Sequence, residues 1–199
     1  MVNSARWGWC FVGTLFSRLH ENQRVAGPLS WAARKEIARQ VAEALRHLHE
    51  QANPPIIHRD VKSKNVLLEN DAKLGPRNNR STGTTPRGTF GYMDPQCVSE
   101  HRCSAKSDVY SFGVLLLEII TGSKALIGIE ALVIRTRTDC LSTDTNNIIR
   151  IVDQALPDRN NRNELLGMIR IANRCLRGKR DNRPTLTEVV NMMDIIRNA

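Results

Sequence analysis

From Ser30 the chain repeats apolar positions with the period of a helix: in SWAARKEIARQVAEALRHLHE, residues Ile37, Val41, Leu45 and Leu48 fall on one stripe. Ser30 is placed to cap that helix, and Asn53-Pro54-Pro55 forbids its continuation. The segment SDVYSFGVLLLEIITG is apolar nearly all round, the pattern of a helix buried on every side, and Gly122 is its natural stop. Two further helices are predicted over Glu164 to Leu176 and Leu186 to Asn198, the second announced by the capping box Thr185-x-x-Glu188. Val66 to Leu68 and Ala72 to Leu74 read as short strands joined by the turn-prone pair Asn70-Asp71. Gly75 to Gly91 reads as a long exposed loop, and Ser123 to Asn147 as irregular. The expectation is a mainly α fold with one small β-hairpin.

Composition narrows the class. A chain of 199 residues suits one unit, and a core of this size removes about 70% of the unfolded chain's surface from water. With 41% hydrophobic and 25% charged residues, disorder and fibrous repeats are excluded. Cys10, Cys97, Cys103, Cys140 and Cys175 are odd in number, widely spread and without a C-x-x-C pair, which argues against a disulfide framework and a zinc site and for a reducing compartment. The formal net charge of +9 invites a nucleic-acid partner, but the basic residues are scattered and no aromatic residues alternate with them, so none is expected. The run WGWCFVGTLF lacks a small-x-small cleavage site after it, and VLLLEII is broken by Glu118, so no membrane span is expected in this chain.

The chemistry lies in HRDVKSKN, His58 to Asn65, between helix and hairpin. Taken singly, Asp60 reads as a turn or capping residue and Lys62 as a surface charge. Together the eight positions resemble the catalytic loop of serine/threonine protein kinases, H-R-D-x-K-x-x-N. GTFGYMDPQ resembles the end of an activation segment, SDVYSFGVLLLEIITG the family's buried central helix, and RDNRPTLTEVV its final helix and cap. The wording is similar to plant receptor-like kinases, particularly the wall-associated group. The likeness runs from about Phe11 to the C-terminus, residues 1–10 being poorly matched.

That resemblance implies a protein-kinase large (C-terminal) lobe, with ATP and magnesium as cofactors and proteins as substrates or partners. Asp60 would accept the proton of a substrate hydroxyl, Lys62 would hold the transferring phosphoryl oxygen, and Asn65 would bind magnesium. Leu67 would floor the adenine pocket, and Thr89 would contact Asp60 and Lys62. Arg59 would pair with a phosphorylated loop residue, for which Ser81, Thr82, Thr84 and Thr85 are the candidates, modified by a kinase acting in trans. His58 reads as a packing and hydrogen-bonding residue rather than a base. Asp108 would anchor the catalytic loop's backbone. Arg183 would tie down the activation segment, but Gln96 stands where the family has a glutamate, and the expected amide bond is weaker by about 1 to 2 kcal/mol. The implied setting is cytoplasmic, on the inner side of the plasma membrane.

Two departures qualify the implied activity. Gly75 follows Leu74 directly, where the family carries an Asp-Phe-Gly whose aspartate holds magnesium. The chain also starts near the family's hinge, so the small lobe is expected to be absent, and Asp71 reads as a solvent-facing turn residue. Losing one preorganised electrostatic group slows an enzyme on the order of 100 to 1,000-fold, so independent catalysis is expected to be negligible. A catalytically silent binding module and a non-functional fragment stand as the alternatives.

Overall fold

The computed structural model describes residues 13–21, 27–70, 73–74, 88–127, 130–131, 133, 151–156 and 161–197. Strand β1, Gly13–Thr14, leads at once into helix α1, Leu15–His20, because Thr14 and Ser17 form a capping box: each side-chain oxygen accepts from the other's backbone N–H at 3.1 Å. Helix α2, Trp31–Arg46, starts where Ser30 Oγ accepts from Ala33 N–H, and its last turn widens over His47–Gln51 before the prolines. Strands β2, Leu67–Asn70, and β3, Lys73–Leu74, form the expected hairpin. Helix α3, Pro95–Ser99, is capped by Asp94 and has Pro95 in its first turn, where a missing N–H costs nothing. Helix α4, Ala105–Thr121, begins earlier than the apolar run suggests, because Ser107 Oγ reaches back to accept from Ser104 N–H at 3.1 Å. It ends on Gly122 in the left-handed conformation, φ 64°. Beyond it lie strands β4, Leu126–Ile127, and β5, Glu130–Ala131, then helices α5, Arg162–Cys175, and α6, Leu186–Arg197.

Two differences from the sequence reading concern strands. The hairpin has a third member, since β1 pairs antiparallel to β2 with Gly13 opposite Leu68 and Thr14 opposite Leu67. The stretch after Gly122 also contains the β4–β5 pair. Strands of two residues carry no readable alternation, so only their partners define them. A third difference is covalent: the spacing of the cysteines argued against a disulfide framework, yet Cys97 and Cys103 are bridged, with their Cα atoms 4.8 Å apart. Cys175 is free and buried.

Helix α4 runs through the middle and packs on α2 and most extensively on α5, while α6 closes against α2 and α5. Phe112, Val114, Leu115, Leu116 and Ile119 of α4 are fully buried, each stabilising the fold by roughly 1.5 to 3 kcal/mol. The stripe of α2 meets it through Ile37, Val41 and Leu45, with Leu48 partly buried at its end. Gly113 lets α4 approach α5, since a Cβ there would lie 2.8 Å from that of Cys175. Among the described residues no helix is long and apolar enough to cross a membrane. The same interior also buries Arg18, Arg34, Asp94, Asp108, Glu118 and Arg183, and these charges lead to the site.

Candidate active site

The catalytic-loop residues are held by a carboxylate from the first turn of α4. Asp108, buried, accepts from His58 N–H at 2.7 Å through Oδ2 and from Arg59 N–H at 2.8 Å through Oδ1, while His49 Nε2 lies 2.8 Å from Oδ2. Arg59 adopts φ 66°, a left-handed conformation that costs a non-glycine residue on the order of 1 to 3 kcal/mol unless its surroundings impose it. The two backbone hydrogen bonds to one carboxylate supply that constraint. His58 Nδ1 accepts from Asp60 N–H at 3.2 Å, a positioning contact.

The turn so fixed presents Asp60, Lys62 and Asn65 together, and Thr89 joins them from the far side of the segment between. Lys62 Nζ lies 2.8 Å from Asp60 Oδ2 and donates to Thr89 Oγ1 at 2.7 Å, and that hydroxyl donates to Asp60 Oδ1 at 2.8 Å. Asn65 Nδ2 donates to the Asp60 carbonyl at 2.6 Å and to Oδ2 at 2.8 Å. Burial by itself pushes the Asp60 carboxyl up, but hydrogen bonds from Lys62, Asn65 and Thr89 and the lysine's charge outweigh it and hold the group below its ordinary value. At neutral pH it is a carboxylate able to take a proton. Leu67, half-buried, lines a cleft with Val41, Leu45 and Leu48, and Lys62 and Asn65 share its wall. Ser81, Thr82, Thr84, Thr85, Asp71 and Gly75 lie outside the described residues.

One expected contact is corrected. Arg183 does not take Gln96; it forms a two-pronged pair with Asp94, Nη1 to Oδ2 at 2.8 Å and Nη2 to Oδ1 at 2.9 Å, with both side chains buried. Asp94 sits at the cap of α3, where its second role is to accept from Gln96 N–H at 3.1 Å. A planar guanidinium matches a carboxylate better than a neutral amide, so Asp94 wins the contact. Gln96 Oε1 instead accepts from Arg180 N–H at 3.1 Å. Arg180 adds Nε to Asp94 Oδ2 at 3.2 Å, Nη1 to Glu100 Oε2 at 2.5 Å and Nη2 to the Arg102 carbonyl at 2.9 Å. Burial raises the Asp94 carboxyl's affinity for a proton, but Arg183, the Gln96 N–H and Arg180 reverse that and hold it below the usual value.

The sequence reading also missed a buried polar hub. Glu118, the one charge that interrupts the apolar run VLLLEII, accepts from Ser63 Oγ at 2.9 Å and from the Tyr92 hydroxyl, and His20 Nε2 lies 2.7 Å from its Oε1. Ser63 belongs to the catalytic loop and Tyr92 follows Thr89 by one turn of chain, so one carboxylate steadies both sides of the site. Burial and the neighbouring Glu118 charge push the Tyr92 hydroxyl's pKa well above its ordinary value. Arg34 behaves similarly: wholly buried, it donates to the carbonyls of Leu29 and Ile119 and to Asp153 Oδ2 at 3.1, 2.7 and 2.6 Å. Both had a legible signal. A charge in the middle of an all-apolar helix, or one turn before Ile37 on the α2 stripe, must find buried partners.

A catalytic loop of this construction, hung from the first turn of a buried helix, defines the protein kinase class. The protein kinase domain family model matches residues 9–193, and the chain belongs to that family. Among its relatives in Arabidopsis thaliana, Wall-associated receptor kinase-like 1 is 36% identical over 199 residues, covering 94% of this chain and 27% of that protein. Wall-associated receptor kinase 2 is 34% identical over 197 residues, 93% of this chain and 27% of its own. Wall-associated receptor kinase-like 21 is 37% identical over 196 residues, 89% of this chain and 31% of its own. The chain spans less than half the length of the curated relatives it matches.

Proposed function

We propose that this chain is the large lobe of a receptor-like serine/threonine kinase in which the substrate-hydroxyl site is preorganised and the magnesium-ATP site is not. By itself it would then engage protein partners through the substrate-facing surface without transferring phosphate. In favour of the first half stands the ionised Asp60, fixed by Lys62, Asn65 and Thr89 where a hydroxyl proton would be accepted. The reading of the second half rests on Gly75 following Leu74 directly.

Magnesium demands near-octahedral oxygen ligands, usually including one or two carboxylates besides the phosphates. Asn65 turns its amide nitrogen onto Asp60, leaving one amide oxygen toward a metal, and the position before Gly75 supplies a leucine. Those residues do not fit the ion, so no step is routed through it. The test is thermal melting of the purified chain with and without Mg-ATP. Ligand bound only by the native state at 100 times its Kd adds about 2.7 kcal/mol, a clear shift in Tm. No shift is expected; a shift overturns the reading.

A further inference from the structure

The bridge between Cys97 and Cys103 lies where a covalent change would be felt at the candidate site. Cys97 is buried in α3, one turn after Asp94, and Cys103 is half-buried immediately before Ser104, the cap of α4. Both line a narrow cavity whose wall also contains Asp60, Thr89, Tyr92 and Asp94. The bridge closes a tight turn in which His101 takes φ 51°, a left-handed conformation uncommon outside glycine that histidine tolerates better than most residues. Apart from the bridge, that turn is gripped by Arg180 through Glu100 and the Arg102 carbonyl.

We propose that Cys97 and Cys103 form a reversible thiol–disulfide couple that fixes the Thr89–Asp94 segment against the start of α4 when oxidised and releases it when reduced. The structure places the pair within bridging range, with Cα atoms 4.8 Å apart. Low-molecular-weight disulfides such as oxidised glutathione are the oxidant class. The accessible Cys103 thiolate attacks one glutathione sulfur and expels glutathione thiolate; the Cys97 thiolate then attacks the Cys103 sulfur and expels the second. Two protein thiols are oxidised, one glutathione disulfide is reduced to two thiols, and the two protons pass to the leaving thiolates. A bridge in a reducing compartment is typically transient and redox-sensing, which suits a pair with one partly exposed member, Cys103. Cys175 stays out of the exchange, because burial pushes its thiol up to about 12.

The test needs neither ATP nor phosphate transfer, so it stands apart from the kinase reading. The purified chain is equilibrated in glutathione buffers of graded oxidation, trapped by alkylation and digested with trypsin. Each of the five cysteines falls on its own tryptic peptide, and cleavage after Arg102 separates the pair, so the bridge appears as peptide 88–102 linked to 103–106. The linked species is expected to appear and disappear within the glutathione range, and amide exchange in residues 88–102 is expected to slow in the oxidised chain. Cys103→Ser should abolish both responses; Cys97→Ala, which places no polar group at the buried position, is the second variant. Overturning results are pairing with Cys10 or Cys140 instead, no oxidation by glutathione disulfide, a bridge that survives excess reduced glutathione, or exchange identical in the two states.

Discussion

At the scale of single residues, the buried carboxylates decide more of the stability than Asp60 does. Asp94 and Asp108 are themselves buried and each serves more than one donor, so removing either leaves a charge or N–H groups unpaired. Asp94→Asn keeps the shape but strips Arg183 of its counter-charge, and breaking a buried pair in this way costs about 3 to 5 kcal/mol. Denaturant unfolding should show that loss at neutral pH. Because the folded-state pKa of Asp94 lies below its ordinary value of 3.8, its contribution is fully present above that value. It fades as pH falls through the folded-state pKa, so the gap between the native chain and Asp94→Asn should close in acid. Gln96→Glu, by contrast, should move stability by about 1 kcal/mol or less, since Arg183 is already satisfied. Asp108→Ala should cost roughly 1 to 3 kcal/mol for each N–H left unpaired, while Asp60→Asn, at a partly exposed carboxylate, should leave the melting midpoint nearly unchanged. Equal midpoints for those two variants would remove Asp108 from the anchoring role.

Between elements, what matters is how closely α4, α5 and α6 approach. A Cβ at Gly113 would meet the Cys175 Cβ at 2.8 Å and the Leu176 Cγ at 2.9 Å. The first of these is fixed to the α5 backbone and cannot swing away. Gly113→Ala should therefore destabilise by about 1 to 3 kcal/mol through overpacking, offset only in part by the roughly 1 kcal/mol that alanine contributes inside a helix. Gly167 is the control. Its added Cβ would meet Ile196 Cδ1 at 2.7 Å and Cγ1 at 2.8 Å, both side-chain atoms of a residue at the edge of the core rather than atoms fixed to a backbone. Gly167→Ala should lower Tm by less than Gly113→Ala, and thermal melting of the two variants side by side decides whether backbone approach or side-chain crowding sets the tolerance.

For the whole molecule, the expectation concerns a modification that this chain would receive. The stretch RNNRSTGTTPR interleaves Arg77, Arg80 and Arg87 with four hydroxyls, and each phosphate added there carries about −1.5 to −2 charge against a formal net charge of +9. Arg59 is the catalytic-loop cation that the resemblance pairs with such a phosphate. Incubation with ATP and a complete receptor-like serine/threonine kinase should label Ser81, Thr82, Thr84 or Thr85, all of which fall on the single tryptic peptide 81–87. Label found only on other peptides would count against an activation-segment role for this stretch.

Much of this was legible before any tertiary structure, for a local reason. Helices α2, α5 and α6 follow from apolar periodicity, α4 from a run apolar nearly all round, and the caps at Ser30, Gly122 and Thr185 from hydrogen bonds three or four residues apart; Thr185 Oγ1 indeed accepts from Glu188 N–H at 3.2 Å. The candidate catalytic loop was legible because Asp60, Lys62 and Asn65 lie within one octapeptide. Partner choice across the chain was not. Arg183 reaches Asp94 at a separation of 89 residues, and His20 reaches Glu118 at 98. Neither pairing has a spacing rule, because it depends on which elements the packing of α4 brings face to face. The sequence announces that a buried charge needs a partner, and only the assembled core selects Asp94 over Gln96. The same holds for β1, whose two residues become a strand by meeting Leu67 and Leu68, and for Cys97 and Cys103, which the turn before α4 folds together.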